Sequence, residues 1–201
     1  MNLPNKLTLS RLGLTLLFLV ALLWEFPRHL TVALALFVAA SLTDLFDGII
    51  ARRHSLITDF GKLMDPLADK VLICSAFIAF VELRDPNGQS WMPAWMVIII
   101  VVRELAITGL RLLAAGKSLV LAAERQGKNK TITQITAVIS ILVLHSYPEW
   151  GPLGRLFAFE MFGQAWVVWL SELSKWAAVL MTLYSGFTYL WKNREVYLND
   201  L

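Results

Sequence analysis

Six apolar runs divide the chain, at residues 12–24, 30–45, 67–81, 93–102 continuing to 115, 132–144 and 166–191. A helix that crosses a bilayer needs about 20 mostly apolar residues at ~1.5 Å each. Several of these runs reach that length only when their polar ends are included, so those ends must place charged groups near the membrane interface. With 57% hydrophobic and only 16% charged residues, and a mean hydropathy of +0.62, the composition lies far from that of a soluble domain. The expectation is an all-α polytopic membrane protein of about six transmembrane helices. It forms a single domain over residues 1–201, with a short interfacial segment at about 1–10.

Basic residues set the orientation. Lys6 and Arg11 precede the first run, Arg52, Arg53, Lys62 and Lys70 lie between the second and third, Lys117, Arg125, Lys128 and Lys130 between the fourth and fifth, and Lys192 and Arg194 follow the last. The alternate connections hold only Arg28, Arg84 and Arg155. The positive-inside rule therefore puts both termini in the cytosol. The net charge of +3 follows this topology rather than a soluble basic patch, which argues against nucleic-acid binding. No small-x-small cleavage pattern follows Trp24, so the first run reads as a retained helix rather than a signal peptide.

Cysteine and histidine carry little chemistry here. The lone Cys74 excludes a disulfide framework and reads as a small apolar residue, and His29, His54 and His145 lack zinc-ligand spacing. Asn5 reads as a helix cap at the chain start, and Thr131 with Gln134 as a capping box for the fifth helix. The cluster Asp85-Pro86-Asn87-Gly88 marks a turn. The break at residues 146–154 and the short piece 155–163 are expected at the outer interface, with Trp150 and Trp166 as interfacial aromatics.

The densest chemistry lies in DLFDGIIARRHSLITDFGKLMDPLADK, from Asp44 onward. Asp44 and Asp47 are three apart, Asp65 and Asp69 four apart, so each pair shares a helix face. The short connection makes the two helices antiparallel neighbours whose carboxylates can converge. Four unpaired aspartates deep in a membrane would cost on the order of 10 kcal/mol. Two divalent cations would neutralise them, and hard oxygen donors suit Mg2+ or Mn2+. Pairing with Arg52, Arg53, Lys62 and Lys70, or with interfacial water, is the competing explanation. Gly48, Ala51 and Gly61 leave backbone nearly bare between the pairs, where a flat or phosphorylated group could approach.

Written as D44-x2-D47-G48-x2-A51-R52-x8-G61-x3-D65-x3-D69, the stretch fixes eight residues across 26 positions. It is similar at each fixed position to the signature of the CDP-alcohol phosphatidyltransferase family, and the six-run layout extends the resemblance along the chain. The resemblance implies two bound divalent ions, held by Asp44, Asp47, Asp65 and Asp69, with Asp69 also acting as general base. It implies further that Gly48, Ala51, Arg52 and Gly61 form a cytidine diphosphate site, which Asn5 and Thr8 could also touch. The family chemistry would use a metal pair about 3.5–4 Å apart to hold a diphosphate and neutralise departing CMP. Asp69 would accept the proton of the acceptor hydroxyl.

The acceptor is read from other residues. Arg103 and Arg111 lie within about 80° of each other around one helix, and Gly127-Lys128-Asn129-Lys130-Thr131 supplies two lysines. These cations suit an acceptor phosphate, although pairing of Arg103 with Glu104 and a purely topological role for Lys128 and Lys130 stay open. Together with Pro4-Asn5-x-Leu7-Thr8-x2-Arg11, they look like the branch of the family that makes phosphatidylglycerophosphate. That implies CDP-diacylglycerol as donor, sn-glycerol 3-phosphate as acceptor, membrane lipids as surroundings and a homodimer. The implied location is a bacterial inner membrane, multi-pass, with the site facing the cytosol. Phosphatidylglycerol, serine or inositol phosphate are alternative acceptors within the family. A small cation or proton transporter is the alternative outside it, but ionisable residues here collect at one end rather than through the midplane.

Overall fold

The computed structural model describes the backbone of residues 3–54, 59–116, 119, 121 and 125–198, and the side chains of 9–43, 70–116, 119, 121 and 127–197. The apolar runs fold into helices α1 (Leu3–Leu23), α2 (His29–His54), α3 (Asp59–Glu82), α4 (Ala94–Gly116), α5 (Arg125–Ser146) and α6 (Trp166–Lys192). A short α7 (Glu195–Leu198) follows. Each helix matches one run, but α2, α3 and α5 continue well past the apolar residues into charged sequence.

Among the described residues, packing closes the long helices into a ring in the order α1–α2–α5–α6–α4–α3, with α3 also touching α5 across it. Small residues allow the close crossings: Ala21, Ala33, Ala40, Ala76, Ala137 and Ala178 are buried, as membrane bundles favour. Phe18 and Phe37 lock α1 to α2, their ring centroids 5.4 Å apart. The hydroxyls of Ser140 and Ser174 join α5 to α6 at 2.5 Å. Large apolar side chains such as Leu16, Ile98, Leu105, Leu173 and Phe187 face outward, while Arg11, Glu104, Lys130, Gln134, Ser171, Lys175 and Thr182 are buried. Polar groups inside and hydrocarbon outside is the distribution a lipid-surrounded bundle requires. Among the described residues, the stretch Gly127–Leu156 is long and apolar enough to cross a membrane, and Leu9–Leu23 and His29–Thr43 form shorter apolar helices.

Two local expectations are corrected. The helix α1 begins at Leu3 and runs without a break, so Asn5 lies inside it rather than capping it. Pro4 falls in the first turn, where its missing amide hydrogen is harmless. Thr131 and Gln134 do not start α5, which begins six residues before Thr131; the Thr131 hydroxyl donates to the Gly127 carbonyl at 3.1 Å. Between the described residues α2 and α3 meet at only a few positions, with α1 lying against both; the expected convergence of the aspartate pairs lies outside the described side chains. The piece after α5 holds a 3₁₀ stretch and a small hairpin. The 3₁₀ stretch, Tyr147–Leu156, turns at Gly151 (φ 57°). Strands β1 (Glu160–Met161) and β2 (Gln164–Ala165) then form a minimal hairpin. Its central residues Phe162 and Gly163 both have positive φ, the geometry of a tight two-residue turn.

The turn read at Asp85 forms as expected. Its Oδ1 accepts from the amides of Asn87 at 2.9 Å and Gln89 at 2.8 Å, with Gly88 at φ +79°.

Candidate active site

The extended ends of α2 and α3 carry the aspartate signature. Asp44, Asp47, Gly48, Ala51 and Arg52 all fall within α2, and Gly61, Asp65 and Asp69 within α3. The helical spacing that puts each aspartate pair on one face therefore holds in both elements. The α3 helix starts eight residues before its apolar run, so Gly61 is a helical residue rather than part of a turn. The side chains of these residues, and of Asn5 and Thr8 in α1, lie outside those described. Among the described residues, no three Asp, Glu, His or Cys side chains gather at a point that could hold a metal. His29 Nδ1 lies 3.2 Å from the Ala21 carbonyl, and His145 stacks on Trp91 at 3.7 Å.

One turn beyond the signature the side chains are described, and a charged cluster joins three helices. Glu104, on α4, is buried (5% exposed). Its Oε1 accepts from Lys130 Nζ on α5 and from Arg103 Nη1 at 3.2 Å. Lys70, the residue after Asp69 on α3, donates to the Thr108 hydroxyl and approaches the Glu104 carbonyl at 3.4 Å. The same carbonyl accepts from Thr108 Oγ1 at 2.7 Å. A buried carboxylate with several cations around it is stable only as a network, since removing one partner strands the other.

The four acceptor-phosphate candidates divide accordingly. Arg103 and Lys130 converge on Glu104, so the pairing left open for Arg103 does occur. Arg111 is exposed on α4, and its Nε donates to the Tyr189 hydroxyl at 3.1 Å with the guanidinium over the ring at 5.4 Å. Arg103 faces the same helix: a Cβ on Gly186 of α6 would come within 2.9 Å of Arg103 Cγ. The shared face inferred from the eight-residue spacing is thus the face turned to α6. Lys128 is exposed and apart from the Glu104 cluster, while Lys130 is buried. Both sit in the first turns of α5 rather than in a loop.

Sequence reasoning missed Lys70, Thr108, Gly186 and Tyr189 as parts of this region. It also missed Gln134, fully buried, whose Nε2 donates to Thr182 Oγ1 on α6 at 3.0 Å. The Glu104–Thr108 and Lys130–Gln134 separations of four residues were legible as shared helix faces. The facing helix for each was not.

A profile of the CDP-alcohol phosphatidyltransferase family matches residues 1–184. The CDP-diacylglycerol–glycerol-3-phosphate 3-phosphatidyltransferase of Bacillus subtilis is 42% identical over 207 aligned residues, covering 96% of each chain. A protein of Mycobacterium tuberculosis named probable phosphatidylglycerophosphate synthase is 38% identical, over 94% of this chain and 80% of its own. The Rickettsia bellii protein with the same name as the Bacillus one is 32% identical, over 94% of this chain and 93% of its own. The eight-residue signature and a match over most of the chain agree, and the chain belongs to the CDP-alcohol phosphatidyltransferase family as a phosphatidyltransferase.

Proposed function

We propose that the protein transfers the phosphatidyl group of CDP-diacylglycerol to sn-glycerol 3-phosphate, forming phosphatidylglycerophosphate and CMP. The observation that carries this reading is the 42% identity, over 96% of both chains, to a Bacillus subtilis enzyme named for that reaction. The acceptor follows from the same similarity and from the cations of α4 and α5 near the signature.

The donor set of Asp44, Asp47, Asp65 and Asp69 suits hard divalent cations, because it consists of carboxylate oxygens spaced for two helix faces. Mg2+ or Mn2+, when bound, would polarise the reacting phosphorus and neutralise the departing phosphate. Gly48, Ala51, Arg52 and Gly61, with Asn5 and Thr8, would bind the cytidine diphosphate. Asp69 is the general base. It takes the proton from a hydroxyl of the acceptor as that oxygen bonds to the phosphatidyl phosphorus. The bond from that phosphorus to the CMP oxygen breaks, and CMP leaves with the electron pair. Arg103, Arg111, Lys128 and Lys130 hold the acceptor phosphate, for which arginine offers paired donors and lysine a point charge.

In this reading α1 to α6 are six spans with both termini cytosolic, as the alternation of basic connections supports. The site then opens to the cytosol at a bacterial inner membrane, where a lipid donor and a water-soluble acceptor both arrive. The homodimer belongs to the same reading, and light scattering of the detergent-solubilised protein tests it.

The function is tested with purified protein, CDP-diacylglycerol, Mg2+ and a panel of acceptors, following CMP release. Release with glycerol 3-phosphate is expected. Release only with phosphatidylglycerol, serine or inositol phosphate would reassign the acceptor within the family.

A further inference from the structure

Among the described residues a second, smaller apolar core lies apart from the main one, on the C-terminal half of α4. Ile107, Leu110 and Ala114 of α4, Tyr189 of α6 and Val196 of α7 are buried in it together. The chain reverses into this core through a turn built on one carbonyl. Tyr189 O accepts from Asn193 Nδ2 at 2.8 Å and from the Asn193 amide at 3.2 Å. The Asn193 carbonyl accepts the Val196 amide at 3.1 Å, and the Tyr197 hydroxyl donates back to the Leu190 carbonyl at 3.2 Å. A helix of four residues has too few internal bonds to hold itself; α7 is held by these ties to α6 and by its packing on α4.

Tyr189 carries this packing to a charged group. It is 3% exposed, yet its hydroxyl accepts from Arg111 Nε at 3.1 Å and its ring lies 5.4 Å from the guanidinium carbon. One bond and one stacking contact from the same residue fix the plane of the guanidinium. With Nε engaged, the two terminal nitrogens, a pair by which arginine grips a phosphate, remain on an exposed side chain. A buried ring keeps a single position only while its surroundings are filled, and Val196 of α7 is part of that filling. Tyr189 and all of α7 lie beyond the residues 1–184 that the family profile matches, so the clasp lies outside the matched family pattern.

We propose that α7 is a positioning element for acceptor recognition. By completing the core around Tyr189 it holds the ring and hydroxyl that aim Arg111, and so sets the affinity for the phosphate of the acceptor. Neither α7 nor Tyr189 touches the reacting atoms. This inference rests on the reading of glycerol 3-phosphate as acceptor and of Arg111 as a contact to its phosphate.

The test is a two-substrate steady-state analysis of the full-length protein in detergent, following CMP release. Wild type and Arg111→Ala decide the underlying reading first. If glycerol 3-phosphate gives no release while another acceptor does, or if Arg111→Ala leaves the acceptor KM unchanged, that reading falls and takes the inference with it. Where it stands, Val196→Asp, which puts a charge into the small core and undocks α7, should raise KM for glycerol 3-phosphate about threefold to tenfold. KM for CDP-diacylglycerol and kcat should stay within about twofold. In the Arg111→Ala background the same substitution should add less than about twofold, because α7 then has no guanidinium to aim; a merely structural role would not give this non-additivity. An unchanged acceptor KM, a parallel rise in both KM values, or an undiminished effect in the Arg111→Ala background would overturn the proposal. If Val196→Asp does not yield folded protein, Val196→Ala carries the same test with a smaller rise in the acceptor KM, and no rise in that variant is sufficient to overturn it.

Discussion

Glu149 caps the first turn of α2 from 118 residues further along the chain: its Oε2 accepts the main-chain amide of Thr31 at 3.1 Å and, at 2.5 Å, the Thr31 hydroxyl. Trp150 adds a bond from its Nε1 to the same hydroxyl at 2.9 Å. The residue preceding α2, Arg28, has φ 63°, so the ordinary side-chain cap is replaced by a carboxylate from the 3₁₀ stretch. A negative charge there also meets the positive end of the helix. The far end of α2 carries Asp44 and Asp47, so this bond anchors the helix that delivers half of the proposed metal ligands.

Glu149→Ala should therefore destabilise the protein by about 2 kcal/mol, the range for hydrogen bonds to a charged acceptor. A lowered unfolding temperature in detergent is the expected readout, with activity per folded molecule retained. An unchanged melt would mean that the cap carries no weight.

Gly186 is the position where α6 comes closest to Arg103. A methyl group there would sit 2.9 Å from Arg103 Cγ, and overpacking of this kind typically costs about 1–3 kcal/mol unless the neighbour moves. Gly186→Ala should displace Arg103 and raise KM for glycerol 3-phosphate about threefold to tenfold, with little effect on KM for CDP-diacylglycerol. Steady-state kinetics at saturating concentrations of each substrate separate the two.

Arg111 and Tyr189 form the outer member of the cationic face. Removing the guanidinium with Arg111→Ala should raise the acceptor KM at least about tenfold. Tyr189→Phe keeps the ring under Arg111 but deletes the bond at 3.1 Å; a loss of about 1 kcal/mol, or roughly a fivefold rise in KM, is expected. Equal effects of the two substitutions would show that orientation, not charge, dominates at this position.

The apolar runs were sufficient to locate each long helix, because burying backbone polar groups in hydrocarbon leaves little choice of conformation. They were poor guides to where helices end. The α2 and α3 helices persist through the aspartate signature, and α5 starts at Arg125 rather than at Thr131, since charged residues can extend a helix into water without altering its hydrogen bonding. The hairpin at residues 160–165 escaped notice because Phe162 occupies a left-handed conformation that bulky residues rarely adopt; Gly163 was its one signal. In the site, Arg103 with Glu104 stood out as neighbours, and Lys130 as part of a basic segment. Their convergence with Lys70 depends on α3, α4 and α5 meeting, a tertiary fact with no trace in local spacing.

The proposed donor set of Asp44, Asp47, Asp65 and Asp69 predicts metal dependence. Chelation of divalent cations should abolish CMP release, and Mg2+ or Mn2+ should restore it. Asp65→Asn should lower turnover about a hundredfold or more, beyond the 10–100-fold typical of residues that only support a metal ligand. Normal turnover of Asp65→Asn in Mg2+ would remove the two-ion reading.

The central claim is that a hydroxyl of glycerol 3-phosphate attacks the phosphatidyl phosphorus and expels CMP. It is tested most directly with glycerol 3-phosphate carrying 18O in its primary hydroxyl, incubated with the protein, CDP-diacylglycerol and Mg2+, followed by mass spectrometry of both products. The expected result is phosphatidylglycerophosphate that retains the label and CMP that lacks it; label in CMP, or no labelled lipid at all, would contradict the proposed reaction.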